Sequence, residues 1–348
     1  KVTTKKESSE KTGKVIGKHE ADITGLLRLN NNTFVAFSSD GNMHIWNYDS
    51  KNYLSTIKCC KDKVSAYCKV SETVIATACA NENNIKIWDL ITGACIVSFN
   101  AHNKRITSLI RVSNGIIASG SEDKTIKLWD ASSKIFIGLF EENSDPVTAL
   151  AMLSQNILIS ASCDAPNSDK SDPPETVNPK IFLWDLNSKI KLGENLPSQK
   201  QAFTDLVVFD DYKFYGVTSD HSLTSFEIKN DKLVSSNNIG KKFSSIVKLT
   251  KSILLVNYDN NSIKYMEFGE TQSNPVWEES VPFTSMILLN KTTVLVSSGK
   301  ELISVSLLKL EEKKDEVIQE KEVKRSYNYD DDYDYNYNNR DARYDYNY

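Results

Sequence analysis

The chain has no run approaching the roughly 18 apolar residues that a membrane-spanning helix requires, so no transmembrane helix is expected. Histidine is scarce, with four in 348 residues, and none of the six cysteines falls in C-x-x-C spacing. A zinc site is therefore not expected, and Cys59, Cys60, Cys68, Cys79, Cys95 and Cys163 read as reduced, partly buried thiols. An excess of one charge is missing as well. The 42 basic and 46 acidic residues leave a net charge of −4, which argues against a general nucleic-acid binder. Even that imbalance sits in the last 23 residues, with 6 Asp against 2 Arg. No G-x-S-x-G, P-loop, His-x-x-x-His or dinucleotide fingerprint occurs, so neither an enzyme nor a cofactor or metal is expected. The visible start, KVTTKKESSEKTGK, lacks the apolar core of a signal peptide. A cytoplasmic location is the expectation, with a leader already removed left open.

What is present is ordinary soluble-protein composition, with 25% charged and 40% hydrophobic residues and a mean hydropathy of −0.40. Its dominant feature is self-similarity. The segments 23–47 (ITGLLRLNNNTFVAFSSDGNMHIWN), 64–89 (VSAYCKVSETVIATACANENNIKIWD) and 106–130 (ITSLIRVSNGIIASGSEDKTIKLWD) repeat one design. Each gives an apolar strand, a polar turn, a second apolar strand, a turn with Asp or Asn, and a third strand ending in Trp. Trp46, Trp88, Trp129 and Trp184 mark four repeats, and the same register continues at Phe226, Met266 and Val305. Spacings of 42, 41, 55, 42, 40 and 39 make seven repeats of about 40 residues with one insertion. Runs rich in Val, Ile, Thr and aromatics between Asn, Asp, Gly and Ser pair as antiparallel strands. One such sheet cannot bury both faces, whereas seven stacked radially can.

These repeats resemble the WD-repeat family of β-propellers over about residues 12–308, strongly in the first four and weakly in the last three. Three of the four Trp stand in Trp-Asp pairs, at Asp89, Asp130 and Asp185. The resemblance implies an all-β, seven-bladed propeller of four-stranded antiparallel blades. It also implies a structural hydrogen-bonded set at His102, Ser119, Asp123 and Trp129 in repeat three, with His19, Asp40 and Trp46 as matching positions in repeat one. Elsewhere the His position holds Cys60, Asn143, Gln199, Ile239 and Glu279, so those blades are expected to rest on apolar packing. Because 12–24 aligns with 92–107, the outer strand and turn of repeat two, residues 13–18 are expected to complete blade seven and close the ring.

Departures from the repeat are where binding is sought. The blade-four turn 163–180 holds four of the eight prolines and reads as an exposed loop. Turns entering the first strand of blades two, three, five and six carry Lys61, Lys63, Lys104, Arg105, Lys200, Lys241 and Lys242, with Asp62 the only acid in those turns. Such a rim would favour acidic peptides through charge-assisted hydrogen bonds and steering. A position late in the same strand, filled by Arg28, Lys69, Arg111, Met152, Val208, Lys248 and Leu288, is expected to lay its cations between blades. Residues 309–325 read as a charged helical spacer. Residues 326–348 hold 8 Tyr, 6 Asp and 5 Asn, and alternation at Tyr333, Tyr335 and Tyr337 suits a docking segment. The expected organisation is thus a flexible 1–11, a propeller at 12–308, a spacer and a tail. The expected function is a non-catalytic scaffold binding protein or peptide partners through one face and the tail. The alternative is a structural subunit of a homopolymer or coat, self-associating by tail-to-propeller contacts.

Overall fold

Alternation of apolar and polar residues along each third strand, as in Asn42–Asn47 (NMHIWN) and Asn84–Asp89 (NIKIWD), gives it one buried and one half-buried side. The computed structural model describes residues 13–307 except 134, 142, 144, 164–178, 196–200, 230–231, 251–252, 259–261, 268–273 and 279–281. The segment 1–11, most of the blade-four insertion, Gln199, Lys200, Glu279, the spacer, and the tail with Tyr333, Tyr335 and Tyr337 lie outside the described residues.

Seven four-stranded antiparallel sheets form, each with its strands a to d in spatial order. Blade one is Ile23–Arg28, Thr33–Ser38, Asn42–Asn47 and Asn52–Lys58, and blade two is Val64–Lys69, Val74–Cys79, Asn84–Asp89 and Cys95–Asn100. Blade three is Ile106–Ser113, Ile116–Ser121, Ile126–Asp130 and Ile135–Phe140. Blades four, five and six begin at Val147, Phe203 and Phe243. Blade seven takes strands a, b and c from Ser285–Asn290, Thr293–Ser298 and Glu301–Ser306, and its strand d from Gly13–Lys18 at the other end of the chain. Gly13 pairs with Val305 and Lys18 with Glu301 in that closing ladder. Gly17 is required there, because a Cβ would lie 2.3 Å from the Trp46 ring of blade one.

Among the described residues, the blades share their cores with their neighbours. Trp46 packs with Ile16, Leu295 and Leu302 of blade seven, Trp88 with Phe37 and Ile45 of blade one, and Trp129 with Ala76 and Ile87 of blade two. Phe226 and Met266 hold the Trp position in blades five and six, pairing with Phe214 and Leu254, and both are buried. Each cluster joins two blades, so folding couples neighbours around the ring. On the face where strands a end, three of the basic residues bridge blades. The Lys69 ammonium reaches Leu29 O and Glu72, Lys248 reaches Phe209 O with its charge 5.2 Å from the Phe209 ring, and Arg28 reaches Leu288 O at 3.5 Å. Arg111 instead bonds Ser113 O within its own strand, at 3.2 Å.

Candidate functional site

The opposite face is built from the loops entering each strand a and the b–c turns. These loops are pinned by backbone bonds to the preceding blade. His19 N donates to Lys300 O, Cys60 N to Gly41 O and His102 N to Asn83 O, at 2.8, 3.0 and 3.2 Å. Gly41, at φ 81°, fits under the loop that follows blade one, where a Cβ would meet Asp62 O and Cys60 O. His19, Cys60 and His102 therefore occupy one structural position in blades one, two and three, and each blade uses it differently.

In blade three, Trp129 Nε1 donates to Ser119 Oγ at 2.9 Å, and Ser119 Oγ lies 2.7 Å from His102 Nε2. His102 Nδ1 meets Asp123 Oδ2 at 2.9 Å. Burial holds His102 below its ordinary value against the pull of Asp123, so the imidazole is neutral near pH 7. It then donates through Nδ1 to Asp123 and accepts through Nε2 from Ser119. Burial also opposes charge on Asp123, yet bonds from Thr125 Oγ1, Asn103 N and His102 outweigh it and hold the carboxyl down to about 2. The chain from Trp129 to Asp123 ties strand c, strand b, the entering loop and the b–c turn together.

Blade two makes the same tie covalently. Cys60 and Cys79 form a disulfide, and Cys59, Cys68, Cys95 and Cys163 remain thiols. This corrects the expectation of six reduced thiols: Cys60 holds the His102 position and Cys79 the strand-b position of Ser121, and the fold brings them together. Trp88 Nε1 keeps a hydroxyl partner in Thr77 Oγ1 at 2.9 Å, and in blade four Trp184 Nε1 donates to Ser160 Oγ at 2.8 Å.

Blade one does not assemble the set. Ala36 replaces the hydroxyl, and His19 makes no hydrogen bond to Asp40 or Trp46. Instead the His19 ring lies 4.4 Å from that of His44 and 5.4 Å from that of Trp46. Burial, then the neighbouring His44, lower His19 to about 4, with Asp40 opposing, and burial also lowers His44. Asp40 accepts from Ser38 Oγ and from Asn42 N and Nδ2, and these bonds, with Lys58 nearby, outweigh burial and hold it low.

Lys61, Lys63, Lys104, Arg105, Lys241 and Lys242 are all exposed on this face. The b–c turns also bring acids to it. Arg105 lies 3.7 Å from Glu122, and Lys241 lies 3.3 Å from Asp220. Lys242 sits 6.0 Å from the Tyr258 ring. The rim is thus mixed in charge outside the entering turns. Those turns read one at a time do not show these acids, which sit 17 residues downstream of Arg105 in blade three and 21 residues upstream of Lys241 in blade five. Among the described residues, Lys61, Lys63 and Lys104 have no ionic partner. They stand on neighbouring loops, one fixed by Cys60–Cys79 and the other by His102–Asp123.

Residues 93–130 match the family model "WD domain, G-beta repeat". A search of curated proteins finds no match. Among solved structures, "Structure of U3-55K" superposes with a TM-score of 0.69 at 13% identity, covering 85% of this chain and 98% of the other. "Crystal structure of RRP9 WD40 repeats" gives the same TM-score and identity, covering 84% and 97%. The likeness at such low identity establishes the fold. The fold is that of a seven-bladed β-propeller, and within it residues 93–130 are similar to a WD repeat.

Proposed function

We propose that the chain is a non-catalytic scaffold that holds an acidic segment of a partner protein on the entering-loop face at blades two and three. WD-repeat propellers are in general protein-interaction scaffolds, which supplies the class. The observation that carries the finer reading is the group Lys61, Lys63 and Lys104, exposed and without ionic partners on two loops anchored at their bases. Cations held on pinned loops lose little freedom on meeting a carboxylate or phosphate, so charge-assisted bonds form at low ordering cost.

Charge reversal of Lys61, Lys63 and Lys104 together is expected to weaken binding of an acidic peptide about tenfold or more at low salt and to flatten its salt dependence. Reversal of Lys241, already beside Asp220, is expected to do less. Fluorescence anisotropy across a salt series reads both quantities. Unchanged affinity and slope in the triple variant would mean that these lysines are solvated surface. A peptide of residues 326–348 belongs in the series as one acidic probe. Binding of that peptide alone, with light scattering of the full chain rising with concentration, would support the polymer or coat subunit instead.

A further inference from the structure

Blade one retains the histidine and tryptophan of the blade-three chain without the groups that join them. Ala36 stands where Thr77 and Ser119 carry hydroxyls, and His44 stands where Lys86 and Lys127 donate to Cys59 O and Ala101 O. Trp46 Nε1 and both nitrogens of His19 are consequently buried without a partner. Trp46 itself is 3% exposed. These atoms border a cavity of about 340 Å³ shared with His44, Asp40, Glu20 and Thr56. Unsatisfied buried polar atoms are costly, and these three beside one cavity leave room for an occupant that meets an imidazole lone pair and accepts from N–H groups.

We infer that His19 and His44 form an open two-imidazole site for a divalent transition-metal ion of the copper or nickel class. Neutral imidazole is the commonest protein ligand for such ions. His44 Nδ1 is anchored 2.9 Å from Thr56 Oγ1, which fixes the ring and leaves Nε2 with only a 3.5 Å approach to Ser38 Oγ. His19 has no hydrogen bond to hold it, so its ring can turn a nitrogen toward the same point. The 4.4 Å between ring centroids sets the geometry. With a metal–nitrogen distance of about 2.1 Å, an ion sits roughly 3.3 Å from each centroid, and the two ligands subtend roughly 85°. That is a cis angle of a tetragonal or octahedral ion, narrower than a tetrahedral one. Asp40 and Glu20 act on His44 with negative charge, and Lys18 at the rim is paired with Glu301 at 2.6 Å. Trp46 Nε1–H would donate to a water on the ion. No three His, Cys, Asp or Glu side chains converge as ligands among the described residues, so water completes the shell and the site is of the exchangeable kind.

The test is Cu²⁺ titrated into the full chain and followed by electron paramagnetic resonance. One equivalent with coupling to two imidazole nitrogens is expected. His44→Lys installs the residue that blades two and three carry, and His19→Asn the one blade four carries at Asn143; each should weaken binding at least tenfold. His221→Gln, which removes an exposed imidazole elsewhere, should leave the signal unchanged. Coupling to a single nitrogen, or undiminished affinity in both blade-one variants, would overturn the assignment. Thermal unfolding without metal checks that each variant is folded.

Discussion

Trp129→Ala is expected to lower unfolding free energy by about 3 to 5 kcal/mol. The residue is 7% exposed and packs against Phe99 of blade two and Phe136 of its own blade, at ring separations of 4.9 and 5.5 Å. Removing it opens a void in the seam between blades two and three, and it also takes the donor from Ser119 Oγ. Ser119→Ala leaves the packing in place and unpairs both Trp129 Nε1 and His102 Nε2, so about 1 to 3 kcal/mol is expected from it. The two changes share one partner and should not add. Urea unfolding of the single and double variants measures this. A loss below about 1 kcal/mol for Trp129→Ala would show that the seam collapses around the gap.

Reducing Cys60–Cys79 is expected to cost about 3 kcal/mol, the loop-closure value for a link of this span. The sequence separation is 19 residues. The cost should appear first in blade two, where the disulfide replaces the hydrogen-bonded tie of blade three. Both cysteines are nearly inaccessible, at 3% and 2% exposure, so dithiothreitol should act slowly on the folded chain and quickly once urea opens the seam. Thermal midpoints of the wild type with and without reductant, beside Cys60→Ser with Cys79→Ser, measure the effect. Equal midpoints throughout would show that the bond adds nothing to the packing of blades one and two. Cys59 should remain inert, since burial pushes its thiol up to about 11.

The ring was readable because its signal is redundant. Seven apolar-polar cycles fix the strand register, and a strand-and-turn pattern at both 12–24 and 92–107 identifies a fourth strand arriving from the far end of the chain. The weak repeats followed because Phe226, Met266 and Val305 fill the Trp position with other large or branched apolar groups. Features that depend on two turns meeting across a face were not readable. Cys60 and Cys79 carry no metal-like or disulfide-like spacing, and Glu122 and Asp220 lie in turns distant in sequence from the cations they meet. His44 was missed for another reason: it is one substitution at a lysine position, and its meaning depends on Ala36 opposite it.

Blade seven has a consequence for how the protein is made. Its strand d precedes every other strand of the ring and its strand c follows them, so six blades can stack on one another during synthesis while the first strand waits for a partner. Until Glu301–Ser306 is complete, Gly13–Lys18 has no edge in its own chain to join. Ring closure is then delayed until the last strand of the ring is made, when one six-residue ladder turns an open stack into a ring.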